Sequence, residues 1–253
     1  MESNQLTHLI VDTILHGVAQ ADTVTGYREP LVGFASAANP RFEELRRIVP
    51  AHLSPEEMLP GARTVIAYFL PFAPWVVEAN SQNSEQVAPE WSTAYVETNA
   101  LIGRISTHLM ALLAEHSVRA VAAAATHNYD PVNLTCPWSH KSVAVIAGLG
   151  SFGLHRMVIT DAGCAGRFGS LVIDADLRAT AVAVRERCLY LYDDSCAECV
   201  TRCPIGALSE DGSLDKQRCH RRLLEIEAKS AAKACGKCAM GPCALEPAVQ
   251  ARD

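Results

Sequence analysis

The sequence lacks any uninterrupted apolar run near the ~20 residues that a membrane-spanning helix needs. Its longest apolar stretches, residues 65–72 and 120–125, have the length of strands. The amino terminus, MESNQLTHLIVDTILHG, also lacks the basic segment that opens a secretory signal peptide. We therefore expect no membrane association, and we expect the protein in the reducing cytoplasm, where disulfides are rare.

An excess of basic residues is also missing. The chain has 22 Lys and Arg against 28 Asp and Glu, a formal net charge of −6, and this balance argues against a nucleic-acid partner. One local exception flanks Cys219 and consists of Lys216, Arg218, His220, Arg221 and Arg222. These residues form either a solvated helix face that offsets a negative cluster, or a docking patch for an acidic electron donor or RNA.

Cysteine, in contrast, is abundant and unevenly placed. Eight of the ten cysteines lie in the last third of the chain, and Cys203 is followed by proline. In two-cluster ferredoxins the last cysteine of each run ligates the cluster of the other run. On that rule one [4Fe–4S] cluster is held by Cys188, Cys196, Cys199 and Cys243, and the other by Cys203, Cys219, Cys235 and Cys238.

Two other chemistries use the same residue type. The two Cys-x2-Cys pairs could bind structural zinc, which takes four tetrahedral ligands, and disulfides would suit an oxidising compartment. The run also departs from the common ferredoxin pattern, because stepping back three residues from Cys196 reaches Asp193. Either Cys188 or an oxygen of Asp193 completes the first cluster, and we favour Cys188 because iron–sulfur clusters prefer the softer thiolate.

Hydrophobic periodicity and turn chemistry predict an α+β fold, with an α/β body that ends near Arg187. Residues 1–187 form the predicted body, and residues 188–253 form the predicted cluster domain. The predicted helices cover residues 5–19 and 93–116, and a capping box at Ser54 starts a short third helix. The predicted strands cover residues 31–35, 64–70, 118–124 and 180–184. Residues 157–160 and 170–173 are predicted to pair as a hairpin, and residues 74–90 are predicted to form a long loop.

Gly148, Gly150 and Gly153 fit the G-x-G-x-x-G pattern of dinucleotide-binding loops. That fingerprint requires a helix after the third glycine, whereas the residues that follow Gly153 have the pattern of a hairpin. We therefore expect these glycines to let the backbone approach a flat ligand or a neighbouring strand.

Several segments match epoxyqueuosine reductases in the same order along the chain. They are Leu59-Pro-Gly-Ala-Arg63-Thr-Val-Ile, Ala147-Gly-Leu-Gly150-x-x-Gly153, Arg167-Phe-Gly-Ser170 and the cysteine run. The chain thus resembles a family of cobalamin-dependent iron–sulfur enzymes that is related to reductive dehalogenases. The resemblance implies a nitroreductase-like body that holds cobalamin, and a ferredoxin-like domain with two [4Fe–4S] clusters that feed electrons to cobalt.

The resemblance also suggests residues for the cofactor site. Trp138 could cover a corrin face, and the planar fork of Arg167 suits a phosphate or carboxylate. Our candidates for cofactor binding are Trp138, Lys141, Gly148, Gly150, Gly153, Arg167 and Ser170. A ferredoxin- or flavodoxin-like protein would then be the electron donor.

Two departures from the family bear on the substrate. The catalytic aspartate of the family falls on Leu134, which cannot deliver a proton, so Asp130, Cys136 and His140 become the candidates for that role. The helical-repeat extension that the family associates with tRNA contact is also missing from the sequence. We therefore expect an oxidoreductase that reduces a small substrate other than epoxyqueuosine. The alternative functions are a non-catalytic electron carrier and a reductase of a partner's corrinoid.

Overall fold

The computed structural model describes residues 2–126, 128–182 and 185–249, which form a mixed α+β fold. The helices are α1 (Ser3–Ala19), α2 (Arg41–Ile48), α3 (Pro55–Met58), α4 (Pro74–Ser81), α5 (Pro89–Glu115), α6 (His140–Ile146), α7 (Leu189–Asp193), α8 (Glu198–Thr201) and α9 (Lys216–Ser230). The strands are β1 (Leu31–Ser36), β2 (Thr64–Pro71), β3 (Ala120–Ala122), β4 (Gly150–Phe152), β5 (Val158–Thr160) and β6 (Gly166–Ile173). Within the described ranges, every helix is too short or too polar to cross a bilayer.

A four-stranded antiparallel sheet with the order β1-β2-β6-β3 forms the centre of the body. All eight residues of β2 are buried, because helices cover both faces of the sheet. Side chains alternate along a strand, so Ile66, Tyr68 and Leu70 pack with α1 and α5. Val65, Ala67 and Phe69 point to the other face and pack with α6. Each Val, Ile, Leu and Phe side chain among them contributes about 1.5–3 kcal/mol when it leaves water.

Local sequence signals account for the ends of several helices. Ser54 and Glu57 form the predicted reciprocal capping box at the start of α3. Pro89 begins α5, where its fixed φ is already helical and its missing N–H costs nothing. The buried residues Leu101, Ile105 and Leu109 recur at four-residue spacing along α5 and form the stripe that faces the sheet.

Three local predictions were wrong or incomplete. Residues 74–90 were expected to be a loop, but Pro74 begins the helix α4. Residues 157–160 were expected to pair with residues 170–173, but β5 pairs with β4, while β6 pairs with β2 and β3. The physical reason is Gly150: a Cβ atom there would lie 2.2 Å from the carbonyl oxygen of Ile159, so glycine permits this close pairing. In the strand predicted at 180–184, residues 180–182 are irregular, and residues 183–184 lie outside the described residues.

The cysteine-rich segment packs closely on the body. One hydrophobic cluster joins Phe72, Trp91 and Tyr95 of the body to Leu208 and Met240 of the segment. Gly236 shows how tight this contact is, since a Cβ atom there would lie 2.3 Å from the indole ring of Trp91. Contacts therefore cross the predicted domain boundary near Arg187, and the division into two domains stays a prediction.

Candidate functional site

The first thiol set consists of Cys188, Cys196, Cys199 and Cys243. Cys188 immediately precedes α7, and Cys199 lies within α8. Burial, followed by the negative charges of Cys243, Cys188 and Cys196, raises the pKa of Cys199 to about 12. Because charges act on one another strongly only at short range, these four side chains lie together in the fold.

The second thiol set consists of Cys203, Cys219, Cys235 and Cys238. Cys219 lies on α9, while Cys235 and Cys238 follow that helix. Burial, followed by the negative charges of Cys235, Cys219, Cys203 and Cys199, raises the pKa of Cys238 to about 12. These couplings are compatible with the two expected sets, but Cys199 of the first set also acts on Cys238, so the division into two sets stays a prediction. Metal binding by them stays a prediction.

The spacing of these thiols bears on the choice between zinc and iron–sulfur. Tetrahedral zinc, with Zn–S bonds of about 2.3 Å, holds its sulfur ligands about 3.8 Å apart. Among the described residues, only His155, Cys164 and Cys243 form a group of three or more potential ligands whose atoms all lie within 4.8 Å. No three thiols of either set therefore lie within 4.8 Å of one another. The choice between zinc and iron–sulfur clusters at these thiols stays a prediction.

Cys188 and Asp193, the two candidates for completing the first set, lie in different surroundings. Cys188 is 9% exposed and is one of the neighbours that raise the pKa of Cys199. Asp193 is exposed, and its Oδ1 accepts hydrogen bonds from the backbone N–H and the hydroxyl of Ser195, at 3.1 and 2.5 Å. The burial of the Cys188 thiol and its effect on Cys199 favour Cys188 over Asp193 as the fourth ligand of the first set.

A buried histidine contacts the first thiol set. The Nε2 of His155 lies 3.2 Å from the Sγ of Cys243, and the Sγ of Cys164 lies 3.9 Å from the same sulfur. The backbone N–H of Met157 donates to Nδ1 of His155 at 3.0 Å, so Nε2 carries a proton and donates to Cys243. Hydrogen bonds from Cys164 and His155 lower the pKa of Cys243.

One cation contacts the second thiol set, and a second cation lies next to its cysteines in sequence. The Nε of Arg222 donates to the Sγ of Cys235 at 3.3 Å. Lys237, which lies between Cys235 and Cys238 in sequence, is only 3% exposed. Its ammonium donates to the backbone carbonyl of Asn80 at 2.6 Å and to the Asn80 side-chain oxygen at 3.0 Å. Both acceptors are neutral.

A cavity of about 460 Å³, which we call the seam cavity, lies between the body and the cysteine-rich segment. Its lining includes the predicted site residues Cys136, Trp138, His140, Lys141 and Arg167, together with Leu134 and, from α9, Cys219. A smaller cavity of about 240 Å³ shares Arg167 and Cys219 with it and is also lined by Cys203, Cys235 and Cys238. The second thiol set therefore borders the cavities, whereas no member of the first set lines either of them.

His140, Ser170 and Trp138 form a buried hydrogen-bonded network in the wall of the seam cavity. The indole Nε1–H of Trp138 donates to Ser170 Oγ at 2.9 Å. The Nε2 of His140 faces the carbonyl of Ala124 at 3.0 Å and must donate, so Nδ1 accepts the hydroxyl proton of Ser170 at 2.7 Å. Burial lowers the pKa of His140, which keeps the ring neutral. Both ring nitrogens are thus engaged within the protein.

The other two candidate proton donors differ in position and protonation. Cys136 lines the cavity, and burial raises the pKa of its thiol, so the thiol keeps its proton near neutral pH. Asp130 does not line the cavity. Its carboxylate accepts from the backbone N–H of Val132 at 2.8 Å and from the amide of Asn133 at 2.6 Å, which lowers its pKa. Cys136 is therefore the best placed of the three.

Positive charge dominates the lining of the seam cavity. Its charged residues are Lys141, Arg167, Lys216 and Lys233, and no Asp or Glu is among the described residues that line it. The guanidinium of Arg167 stacks on Tyr95 at 4.4 Å and donates to Asn99 Oδ1 at 2.6 Å, whereas Lys141 donates to the carbonyl of Arg156 at 3.1 Å. Within the described chain, neither cation has a carboxylate within 4.0 Å. Among the described residues, Arg167 thus forms no salt bridge within the protein.

The three motif glycines lie outside the linings of both cavities. Gly148 ends α6 at φ +82°, and the N–H of the next residue, Leu149, bonds to Ala144 in a Schellman arrangement. Gly150 permits the contact with β5, and a Cβ atom at Gly153 would lie 2.8 Å from Ile159 Cδ1. These contacts are with the protein's own chain, and a role in cofactor binding stays a prediction.

Sequence reasoning missed several residues that the fold brings to the site. Tyr95, Tyr129, Met157 and Lys233 line the seam cavity, and the ammonium of Lys233 donates to the hydroxyl of Tyr129 at 3.0 Å. His155 and Asn80 contact the thiol sets from the body. Only Lys237 carried a signal in sequence, as a charged residue between two closely spaced cysteines.

Comparison with known proteins supports the resemblance noted in the sequence. No family model matches the chain. Curated relatives include an epoxyqueuosine reductase from Salmonella typhimurium, 29% identical over 175 residues, which are 68% of this chain and 43% of the relative. Another, from Bacillus cereus, is 23% identical over 211 residues, 74% of this chain and 51% of the relative. The chain is similar to the epoxyqueuosine reductases. It spans about half or less of the length of these relatives.

Solved structures show the same likeness in fold. A selenomethionine-labelled epoxyqueuosine reductase superposes with a TM-score of 0.64 at 18% identity, covering 96% of this chain and 66% of that chain. An epoxyqueuosine reductase with an epoxyqueuosine-modified tRNA-Tyr stem loop gives 0.59 at 16% identity, covering 94% and 64%. A catabolic reductive dehalogenase with 3-bromo-4-hydroxybenzoic acid gives 0.57 at 14% identity, covering 86% and 30%. At such identities the likeness shows the fold alone.

Proposed function

We propose that the protein is an iron–sulfur oxidoreductase that passes electrons through two [4Fe–4S] clusters to a cobalamin cofactor, which reduces a small organic anion. The observation that carries this proposal is the position of the second thiol set: Cys219 lines the seam cavity, and the other three members line the smaller cavity, which also contains Arg167 and Cys219. The first thiol set would receive electrons from a ferredoxin- or flavodoxin-like donor. The proposal includes a nitroreductase-like body at residues 1–187 and a ferredoxin-like domain at residues 188–253.

The seam cavity suits a flat macrocycle. Tyr95, Met157 and Phe168 supply aromatic and apolar surface, and Lys141 and Arg167 supply cations for polar edges. Bound cobalamin would supply the low-potential reducing chemistry at cobalt. The chain's own residues would hold the ring, exclude water and orient the substrate.

The charge of the cavity favours an anionic substrate. Among the residues that the structure describes, no carboxylate partners Arg167 or Lys141. A planar guanidinium binds carboxylate or phosphate groups through paired hydrogen bonds. Cys136, whose thiol is protonated at neutral pH, would deliver the proton that accompanies reduction. Leu134 also lines the cavity, so the family's aspartate position faces the same space without an acid.

The anionic substrate could be part of a nucleic acid instead of a small molecule. The similarity to an epoxyqueuosine reductase with an epoxyqueuosine-modified tRNA stem loop supports a nucleic-acid partner, and with it epoxyqueuosine as the substrate. The basic residues of α9 that line the cavity mouth, Lys216 and His220, would then meet the phosphate backbone.

Titration with cob(II)alamin under anaerobic conditions tests the proposal. The cluster-loaded protein should change the EPR signal of the cobalt, and Arg167→Gln should weaken binding. Arg178→Gln, at an exposed arginine outside the cavity lining, should not. An unchanged cobalt signal would favour a non-catalytic electron carrier. A change that appears only with a partner's corrinoid protein would favour a corrinoid reductase.

A further inference from the structure

One exposed surface of the cysteine-rich segment lies between two thiols of the first set. α7 begins after Cys188, and the five residues 191–195 that lead to Cys196 are all exposed. Two of them are large and apolar: Leu191 is 50% exposed and Tyr192 is 49% exposed. A single exposed apolar residue is ordinary, but an adjacent pair next to a proposed redox centre is a candidate contact surface. We call residues 191–195 the α7 face.

The α7 face is attached directly to the first thiol set. The backbone N–H of Tyr192 donates to the carbonyl of Cys188 at 3.0 Å, and Tyr190 packs against the hydrophobic cluster that contains Cys188 and Cys199. Cys196, which follows the face, is only half-buried. Among the described residues that line the two cavities, none belongs to this surface. A protein that covered the α7 face would therefore lie over the first set, away from the seam cavity.

Negative charge surrounds the α7 face. Residues 188–215 contain six carboxylate side chains and one cation. The carboxylates are Asp193, Asp194, Glu198, Glu210, Asp211 and Asp215. The cation, Arg202, forms an ion pair with Glu198 at 2.9 Å. The hydroxyl of Tyr190 donates to the backbone carbonyl of Glu210, which places that exposed turn beside α7.

The body residues next to this surface are nearly balanced in charge. Arg187 is 3% exposed, and both Arg187 and Arg185 pair with Asp161. Glu186, whose carboxylate accepts two backbone N–H groups at 2.8 Å, offsets the second arginine. Arg156 is exposed and donates to a carbonyl of the neighbouring turn, so it offsets one carboxylate of the segment. The surface around the first set therefore stays negative.

The other half of the segment has the opposite charge. Residues 216–237 contain seven Lys and Arg and two Glu, and α9 carries most of these cations. Complementary charge steers a partner to one surface, and like charge keeps it from another. Interfaces between electron-transfer partners are small, so a few apolar side chains can form their centre.

We propose that the α7 face is the docking surface of the electron donor, and that the donor is a redox protein with a basic surface around an apolar centre. This inference rests on the proposed function. The donor would lose one electron, and the cluster of the first set would accept it. The cations of α9 would repel the same donor, so the charges of the segment would direct electron entry to the set that lines neither cavity.

Cytochrome c, a redox protein whose lysines surround an exposed haem edge, is the probe for this surface. The full, cluster-loaded chain is reduced with dithionite, freed of the reductant and mixed with ferric cytochrome c in the absence of oxygen. One electron then passes from a reduced cluster to the haem iron. The measurement is the second-order rate constant as a function of ionic strength, with iron content determined for every variant.

The variants separate charge from apolar contact. Asp194→Asn combined with Glu210→Gln should lower the rate constant about tenfold at low ionic strength and flatten its dependence on salt. Asparagine tolerates the φ of +59° at position 194. Leu191→Gln should lower the rate constant by a factor that does not depend on salt, because no charge changes. Arg221→Gln combined with Lys229→Gln removes two exposed cations from α9 and should not lower it.

The outcomes separate this inference from the proposed function. Slower reduction in the variants of the α7 face alone, at full iron content, supports the inference. Equal rates in all iron-loaded variants would overturn it. Reduction of the clusters by the acidic protein flavodoxin, slowed only by the Arg221 and Lys229 substitutions, would also overturn it, since the donor would then dock on α9. A dimer that dissociates in Leu191→Gln would show that a second copy covers the face instead. A wild-type preparation without iron would contradict the proposed function itself.

Discussion

The hydroxyl of Ser170 and Nδ1 of His140 lie 2.7 Å apart in the buried wall of the seam cavity. Ser170 comes from the central strand β6, and His140 begins the helix α6. The same hydroxyl accepts the indole N–H of Trp138, so one oxygen orients two cavity residues. The geometry of the cavity wall therefore depends on a side chain that does not itself line the cavity.

Ser170→Ala should destabilise the protein by about 1–3 kcal/mol, because it leaves the buried Trp138 N–H and His140 Nδ1 without a partner. The measurement is the free energy of unfolding from denaturant titration. Ser230→Ala, which removes an exposed hydroxyl at the end of α9, should change the stability by less than about 0.5 kcal/mol. Equal effects of the two substitutions on the free energy of unfolding would show that the hydrogen bonds of Ser170 do not stabilise the protein.

The neutral state of His140 predicts a pH dependence of stability. Burial lowers its folded-state pKa, with a smaller contribution from the charge of Arg167, so unfolding takes up a proton when the pH is below the unfolded value of about 6.5. Stability should therefore fall as the pH decreases below about 6.5, with a slope of up to about 1.4 kcal/mol per pH unit from this group.

Unfolding titrations between pH 7.5 and 6.0 check this sign. His140→Gln should flatten the slope. Burial also lowers the pKa of His52, so His52 should add its own contribution to the slope of stability against pH. His52→Gln should remove that contribution. A slope that is identical in wild type and His140→Gln would mean that His140 is charged or exposed in the folded protein.

Substitution of Cys188 or of Asp193 tests which of the two residues is the fourth ligand of the first set. Cys188→Ala should lose about four of eight irons per chain, because it removes a cluster ligand. Asp193→Ala should keep them, since that carboxylate faces Ser195 at the surface. Iron loss in Asp193→Ala, with full iron in Cys188→Ala, would assign the ligand to the aspartate.

Gly236 should be essential for the contact between the cysteine-rich segment and the body. It has φ +73°, and an alanine Cβ would also lie 2.3 Å from the ring of Trp91. Gly206 provides the control: its φ is +57°, but its Cβ would meet only Arg218 Nη1 at 3.8 Å. Gly206→Ala should cost about 1–2 kcal/mol of stability from backbone strain alone.

Gly236→Ala should cost more than Gly206→Ala by about 1–3 kcal/mol, since overpacking adds to the strain. Limited proteolysis near residue 187 should accelerate only in Gly236→Ala. Similar stability and similar cleavage in both variants would show that the packing against Trp91 is not needed.

Local patterns were enough to predict part of this fold. The helix at residues 5–19 and the strand at residues 64–70 follow from side-chain periodicity, and the capping box fixes the start of α3. The pairing of β5 could not be predicted in the same way, because two glycine-rich segments compete for it and the choice depends on packing. The proximity of His155 to Cys243, which are 88 residues apart, likewise exists only once the segment docks on the body.

Metal analysis of the anaerobically purified protein, together with its visible and EPR spectra, tests the central claim most directly. We expect brown protein with about eight irons per chain, little zinc and the spectra of [4Fe–4S] clusters. Colourless protein that contains zinc at its cysteines would contradict the account, because neither the relay nor the proposed reduction could then operate.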